Sequence, residues 1–206
     1  GRPLGVEWAA EHLPAIVEAW APGMYAGQAV AEILYGKVNP SAKLAITIPR
    51  SVGQLQMIYN HKPSQYFHPY AVKPSTPLWP FGYGLSYTTY KYDDLKLSAK
   101  EVSQNQNVEV SVKVTNTGQR DGVEIVQLYI RDKYSSVTRP VKELKDFARV
   151  ALKAGESKVV TFTITPDKLA FYDKKMKWIV EPGEFVVMAG ASSADESLLK
   201  ETFILK

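Results

Sequence analysis

Cysteine is absent from all 206 residues. That excludes disulfides, thiolate metal sites and a cysteine nucleophile, and it leaves the compartment open. Long apolar runs are missing too, since none approaches the ~18 residues of a membrane span. Neither charge sign dominates. The 25 Lys and Arg against 21 Asp and Glu give a net charge of only +4. The signs are interspersed, as in Lys142-Glu143-Leu144-Lys145-Asp146. This describes a solvated mixed surface, whereas a nucleic-acid face needs a basic stripe. Histidine is scarce, and His12, His61 and His68 show no metal-binding spacing. No Ser sits in a Gly-x-Ser-x-Gly elbow, and Gly82-Tyr83-Gly84 is not followed by the helix a phosphate loop needs. No cofactor and no metal are expected. A signal peptide is not visible either. The chain opens at Gly1 rather than Met, inside a segment that reads as structured. The expectation is a start made by cleavage or by design, which leaves export open.

What is present falls into two grammars. Residues 1–60 alternate helix and strand. Val6 to His12 suits a short helix, and Ala15 to Trp20 is a short apolar run before the Pro22-Gly23 turn. Ala26, Ala29, Val30, Ile33 and Leu34 then fall on one helical face. Gly36 stands where the helix end needs a left-handed residue. Leu44 to Ile48 reads as a strand stopped by Pro49. Strand, helix, strand with short links implies a parallel crossover unit. Its sheet must be covered on both faces, so this half reads as the end of a larger α/β domain.

Residues 61–92 form a connector rich in proline and aromatic residues, with Tyr66, Phe67, Tyr70, Trp79, Phe81, Tyr83 and Tyr87 among them. Beyond residue 93 the period becomes two. Val108, Val110, Val112 and Val114 alternate with polar residues up to the Asn116-Thr117-Gly118 turn. Strands follow at 124–130, 147–152, 159–164 and 202–205. Residues 177–180 and 185–189 read as a hairpin about Pro182-Gly183. Short strands between regular turn signals predict an all-β sandwich, immunoglobulin-like or fibronectin type III-like. The fold class is therefore mixed: a partial α/β segment (1–60), a connector (61–92) and a β-sandwich (93–206).

Several segments, in order along the chain, resemble family-three glycoside hydrolases of the β-glucosidase type. They begin with Gly1-Arg2-Pro3-Leu4 and the run from Ala15 to Trp20. Gly36-Lys37-Val38-Asn39-Pro40-Ser41-Ala42-Lys43-Leu44 is similar to the family's "G..NPSGKL" segment. Ile48 to Gln54 and Tyr59 to Pro63 continue the likeness. Pro80-Phe81-Gly82-Tyr83-Gly84-Leu85-Ser86-Tyr87-Thr88 is nearly diagnostic. In the sandwich, Val114 to Gly118, Gln127 to Ile130, Arg139 to Leu144 and Glu181 to Phe185 also match. One departure is Pro22-Gly23-Met24-Tyr25-Ala26-Gly27, where many relatives have an acidic or small residue before paired glycines.

The resemblance implies an order of catalytic barrel, α/β sandwich domain and fibronectin type III-like domain, of which this chain covers the end of the second and all of the third. It implies a retaining β-glucosidase parent that cleaves terminal β-glycosidic bonds and is periplasmic or secreted. The oligosaccharide would be met through the barrel, and this chain would pack on the barrel and on the rest of the α/β domain. Such chemistry needs two carboxyls ~5–5.5 Å apart. The family's nucleophile is an Asp in a barrel motif that does not occur here, and its acid/base Glu lies upstream of these segments. No catalytic residue is carried over. Glu18, Asp93, Asp94, Asp132, Asp173, Glu181 and Glu184 read as structural or solvated carboxylates.

Two readings stand for the connector. His61, Tyr66 and Tyr70 could line a substrate rim, because sugar C–H faces stack on aromatic rings. The same rings could simply pack domains together, with Trp79, Phe81, Tyr83 and Tyr87 as glue. A non-catalytic carbohydrate-binding or scaffolding module is the alternative function. It requires exposed aromatics on the sandwich, where Tyr129, Tyr134, Phe171, Tyr172 and Trp178 read as core or edge packing.

Overall fold

The computed structural model describes residues 2–54, 57–63 and 74–206. Two helices open it, α1 (Glu7–His12) and α2 (Ala26–Leu34), with a 3-10 turn at Gly23–Tyr25 before the second. Gly36 has φ +70, and its amide donates to Ile33 O, so the left-handed stop for α2 forms where the sequence asks for one.

The helix of the crossover unit is thus in place, but its flanking segments are not laddered. Residues 15–20 join no ladder among the described residues, and 44–48 is tied only at its ends, Ile48 by an antiparallel bridge to Trp79 and Leu44 by backbone bonds to Gly82 and Tyr83. A strand exists by virtue of the neighbour that takes its amides and carbonyls. Among the described residues, 15–20 has no such neighbour and 44–48 meets only residues 78–83, at its two ends.

The rest of the chain is β. Its strands are β1 (Tyr90–Leu97), β2 (Glu101–Val102), β3 (Val108–Asn116), β4 (Gly122–Asp132), β5 (Glu143–Leu152) and β6 (Ser157–Ile164), and then, after a helical turn α3 (Pro166–Leu169), β7 (Phe171–Tyr172), β8 (Trp178–Ile179), β9 (Gly183–Gly190) and β10 (Leu198–Leu205). One sheet runs β1-β3-β6 and the other β2-β10-β9-β4-β5. The valines of β3 stiffen the extended backbone and all point inward. They join Val126, Leu128 and Ile130 of β4, Phe162 of β6, and Phe185 and Phe203 of β9 and β10 in one core. The last two rings stack with centroids 5.4 Å apart. Three strands against five, with chain crossings between the sheets, is the sandwich the alternation predicts.

One pairing differs from expectation. Trp178–Ile179 does not form a hairpin with β9. It pairs with Phe171–Tyr172, while β9 lies between β10 and β4. Alternation marks strands but does not choose partners. The choice is local: Asp173 Oδ1 accepts from the Lys175 and Lys177 amides at 2.8 Å, closing a tight turn between β7 and β8.

β4 is buried on both faces over Val126–Ile130, although antiparallel sheets usually leave one face wet. Something must therefore cover its outer face, and that cover is the amino-terminal half.

At the end of β4, Asp132 is buried with Oδ2 unpartnered. Burial pushes its carboxyl above the ordinary value, although the nearby Arg139 guanidinium opposes this. A carboxyl with a raised folded pKa binds more protons in the native state, so it costs stability as pH climbs through that pKa. Asp132→Asn should raise the unfolding temperature at neutral pH. That gain should vanish below about pH 4, where the native Asp is itself neutral. Thermal melts of both proteins across this range check it.

Candidate functional site

His61, the first candidate for the substrate rim, lies half-buried against the loop before β5. Its Nδ1 is 2.7 Å from Lys62 O, and its own carbonyl accepts from Val141 N at 3.0 Å. Lys62 Nζ reaches Thr138 O at 2.5 Å. Tyr66 and Tyr70, with Phe67 and His68, lie outside the described residues. His12 serves α1 itself, stacking on Trp8 and meeting Trp8 O at 2.8 Å. Glu18 is exposed and accepts from the Trp20 amide at 2.9 Å, so it is a local turn ligand.

The geometry concentrates elsewhere, in a seam where the two motifs richest in resemblance meet. Asn39 is its first hub. Its Oδ1 accepts from Ser86 Oγ and Tyr87 N, both at 2.8 Å, and its Nδ2 donates to Asp121 O at 3.0 Å. Tyr87 OH donates to Ile33 O at 2.7 Å, fastening α2, while Arg120 lies over the Tyr87 ring. Backbone bonds run alongside, with Leu44 N donating to Tyr83 O and Gly82 N to Leu44 O. Gly84 and Gly82 are required by closeness. A methyl on Gly84 would stand 2.4 Å from Ala42 O, and one on Gly82 2.0 Å from Gln127 Oε1.

The second hub is a buried ion pair. Lys43 Nζ lies 3.2 Å from Glu124 Oε2, and the two side chains are 12% and 2% exposed. Lys43 also donates to Gly84 O at 3.0 Å, and Tyr92 OH donates to Glu124 Oε1 at 2.8 Å. Burial and the adjacent carboxylate push the Tyr92 phenol far above its ordinary value, so it stays a donor. The third hub is Gln127 on the outer face of β4. Its Nε2 donates to Gly82 O and Ala191 O, and its Oε1 accepts from Tyr129 OH. Above it, Tyr59 stacks on Phe81 at 4.2 Å and meets Tyr129 edge-on at 5.8 Å. These rings join Met188 and Leu198 in a second small core, beside an open cleft of about 180 Å³ bordered by Ile46, Met57, Ile58 and Asn60. Asn116 ties in the β3–β4 turn, accepting from Thr88 Oγ1 and Gly118 N.

Sequence reasoning missed these hubs. The available signal was Glu124, an acid in the inward register of Val126, Leu128 and Ile130. It also treated five sandwich aromatics alike. Tyr129 and Phe171 are buried, whereas Tyr134, Tyr172 and Trp178 are exposed.

The residues of this seam are those of a known domain pair. The profile of the glycosyl hydrolase family 3 C-terminal domain matches residues 1–87, and that of the fibronectin type III-like domain matches residues 124–193. The chain belongs to glycoside hydrolase family 3. It is similar to a β-xylosidase of Formosa agariphila, 44% identical over the whole chain and 29% of the relative's length. It is 43% identical to the periplasmic β-glucosidase of Salmonella typhimurium over 94% of the chain and 27% of that protein. A solved β-glucosidase from Erythrobacter marinus superposes with a TM-score of 0.96 at 45% identity, over all of this chain and 27% of that one. A β-glucosidase of Listeria innocua solved with glucose gives 0.91 at 37% identity, over 99% and 29%. The chain therefore spans somewhat over a quarter of the length of these family 3 relatives and carries their C-terminal portion. Two of the segments that carry the resemblance, Asn39 to Leu44 and Pro80 to Thr88, hold the sandwich in this seam.

Glu124→Gln should cost about 3–5 kcal/mol, because it strands the Lys43 ammonium in the seam. The double variant Lys43→Met, Glu124→Gln should recover most of that loss, since no unpaired charge remains. Urea unfolding of the four proteins in a double-mutant cycle measures both effects.

Proposed function

We infer that this chain is the scaffold portion of a retaining β-glycosidase that removes terminal β-linked glucosyl or xylosyl units from oligosaccharides. The carrying observation is the one-sidedness of the amino-terminal half. One side is bolted to the sandwich through Asn39, Lys43 and Phe81. Elsewhere Trp8, Ile16, Val17, Met24, Tyr25, Leu34 and Tyr35 stand exposed. So much apolar surface on one segment marks an interface. The occupant proposed is the upstream remainder of the α/β domain, whose sheet would take up residues 15–20 and 44–48 as strands. The length of the relatives supports this, as do their names, β-glucosidase and β-xylosidase.

On this reading the bond-breaking carboxylates belong to upstream residues. The buried Glu124 is committed to Lys43 and Tyr92. Residues 1–60 act as the end of the α/β domain, 61–92 as the connector and 93–206 as the fibronectin type III-like domain. His61, Tyr66 and Tyr70 remain the proposed rim residues. A periplasmic or secreted parent is proposed from the relative named periplasmic. No helix among the described residues is long and apolar enough to cross a membrane.

Purified alone, the chain should leave aryl β-glucosides and aryl β-xylosides intact. The longer parent, or the chain co-expressed with its upstream polypeptide, should turn over at least one of them. Hydrolysis that follows the isolated chain through chromatography would overturn the division of labour, and a silent parent would overturn the activity.

A further inference from the structure

The hairpin of β7 and β8 carries two aromatic rings that the fold does not use. Trp178 is 52% exposed and Tyr172 57%, directly cross-strand from one another, with ring centroids 4.8 Å apart and planes at 58°. The rings are held in place. Phe171, on the same strand as Tyr172, is buried beneath the Arg139 guanidinium, which lies 4.7 Å from its centroid. Asp173 pins the turn through two amides, and Met176 accepts φ +59 to close it. The indole is oriented by Trp178 Nε1 donating to Asp167 Oδ1 at 3.2 Å.

What surrounds the rings is polar. Lys174, Lys175 and Lys177 stand exposed on the turn, and none is in an ion pair among the described residues. A dry protein interface disfavours this setting, because lysines are depleted from interface cores and costly to desolvate. A pyranose ring has the opposite requirements. Its C–H face covers an aromatic ring, while its hydroxyls stay hydrated and meet ammonium and carboxylate groups at the rim.

We propose that the Tyr172–Trp178 hairpin is a carbohydrate-binding platform that stacks one sugar unit of a β-linked glycan against the indole, with the turn lysines at its edge. The choice of β-linked glycans rests on the glycosidase reading above. The platform itself rests on the exposed, fixed rings. The lysines would further favour units bearing a uronate, through charge attraction.

Affinity gel electrophoresis of the 206-residue chain and of the longer parent, through gels containing neutral mixed-linkage β-glucan or glucuronoxylan, tests it. Both proteins should be retarded by at least one polysaccharide. Trp178→Ala and Tyr172→Ala should each weaken retardation about fivefold or more, while Trp178→Phe keeps part of it. Changing Lys174, Lys175 and Lys177 to Gln should weaken the glucuronoxylan response alone. Circular dichroism of each variant separates lost binding from lost fold, and both rings are exposed enough for folded variants. Four outcomes overturn the proposal: no retardation by either polysaccharide, retardation unchanged in both alanine variants, retardation of the chain but not of the parent, or a self-association that the variants abolish instead. Turnover of aryl glycosides by the parent is read separately, so a failed platform leaves the enzymatic reading standing.

Discussion

A carboxylate sealed inside a protein has to be answered, and the answer given to Glu124 organises this molecule. It sits on the inward face of β4 with the core valines for neighbours. It is tolerable there because Lys43 arrives from the other half of the chain and Tyr92 donates from β1. An ion pair of this kind adds little net stability, since desolvation consumes most of the attraction. What it supplies is register. The placement of residues 39–44 that brings the ammonium to the acid also seats Asn39 between Ser86, Tyr87 and Asp121.

The seam also explains the rings and glycines around Pro80 to Thr88. With Tyr59, Phe81 closes over a strand that would otherwise expose its outer face. Tyr59 and Phe81 cover Tyr129, and Phe81 O accepts from Ser193 N. Glycines 82 and 84 are there because Gln127 and Ala42 approach too near for a side chain. Lys142 is drawn in beside them, donating to Ser193 O at 2.8 Å. Burial pushes its ammonium below the ordinary lysine value, against the pull of Asp195.

Much of the sandwich was legible because its signals are local. The alternation of Val108 to Val114, the Asn116-Thr117-Gly118 turn and the left-handed Gly36 each announce themselves within a few residues. What stayed hidden depends on distant partners. Lys43 finds Glu124 far along the chain, and neither neighbourhood names the other. Trp178 pairs with Tyr172 and not with β9, because period two marks a strand without choosing its mate. The strands expected at 15–20 and 44–48 rest on apolar runs, and an apolar run does not supply a ladder partner: the first has none among the described residues and the second only an isolated bridge. The resemblance found the right motifs, yet their work in this chain, joining two domains, appears only in three dimensions.

The hubs are divided between the halves: Lys43 with Glu124, Asn39 with Asp121, Gln127 with Gly82. The sandwich is therefore no interchangeable cassette. Strands β1 to β10 grafted onto a domain without counterparts of Asn39, Lys43 and Gly82 would carry an acid without its base and a glutamine without its glycine.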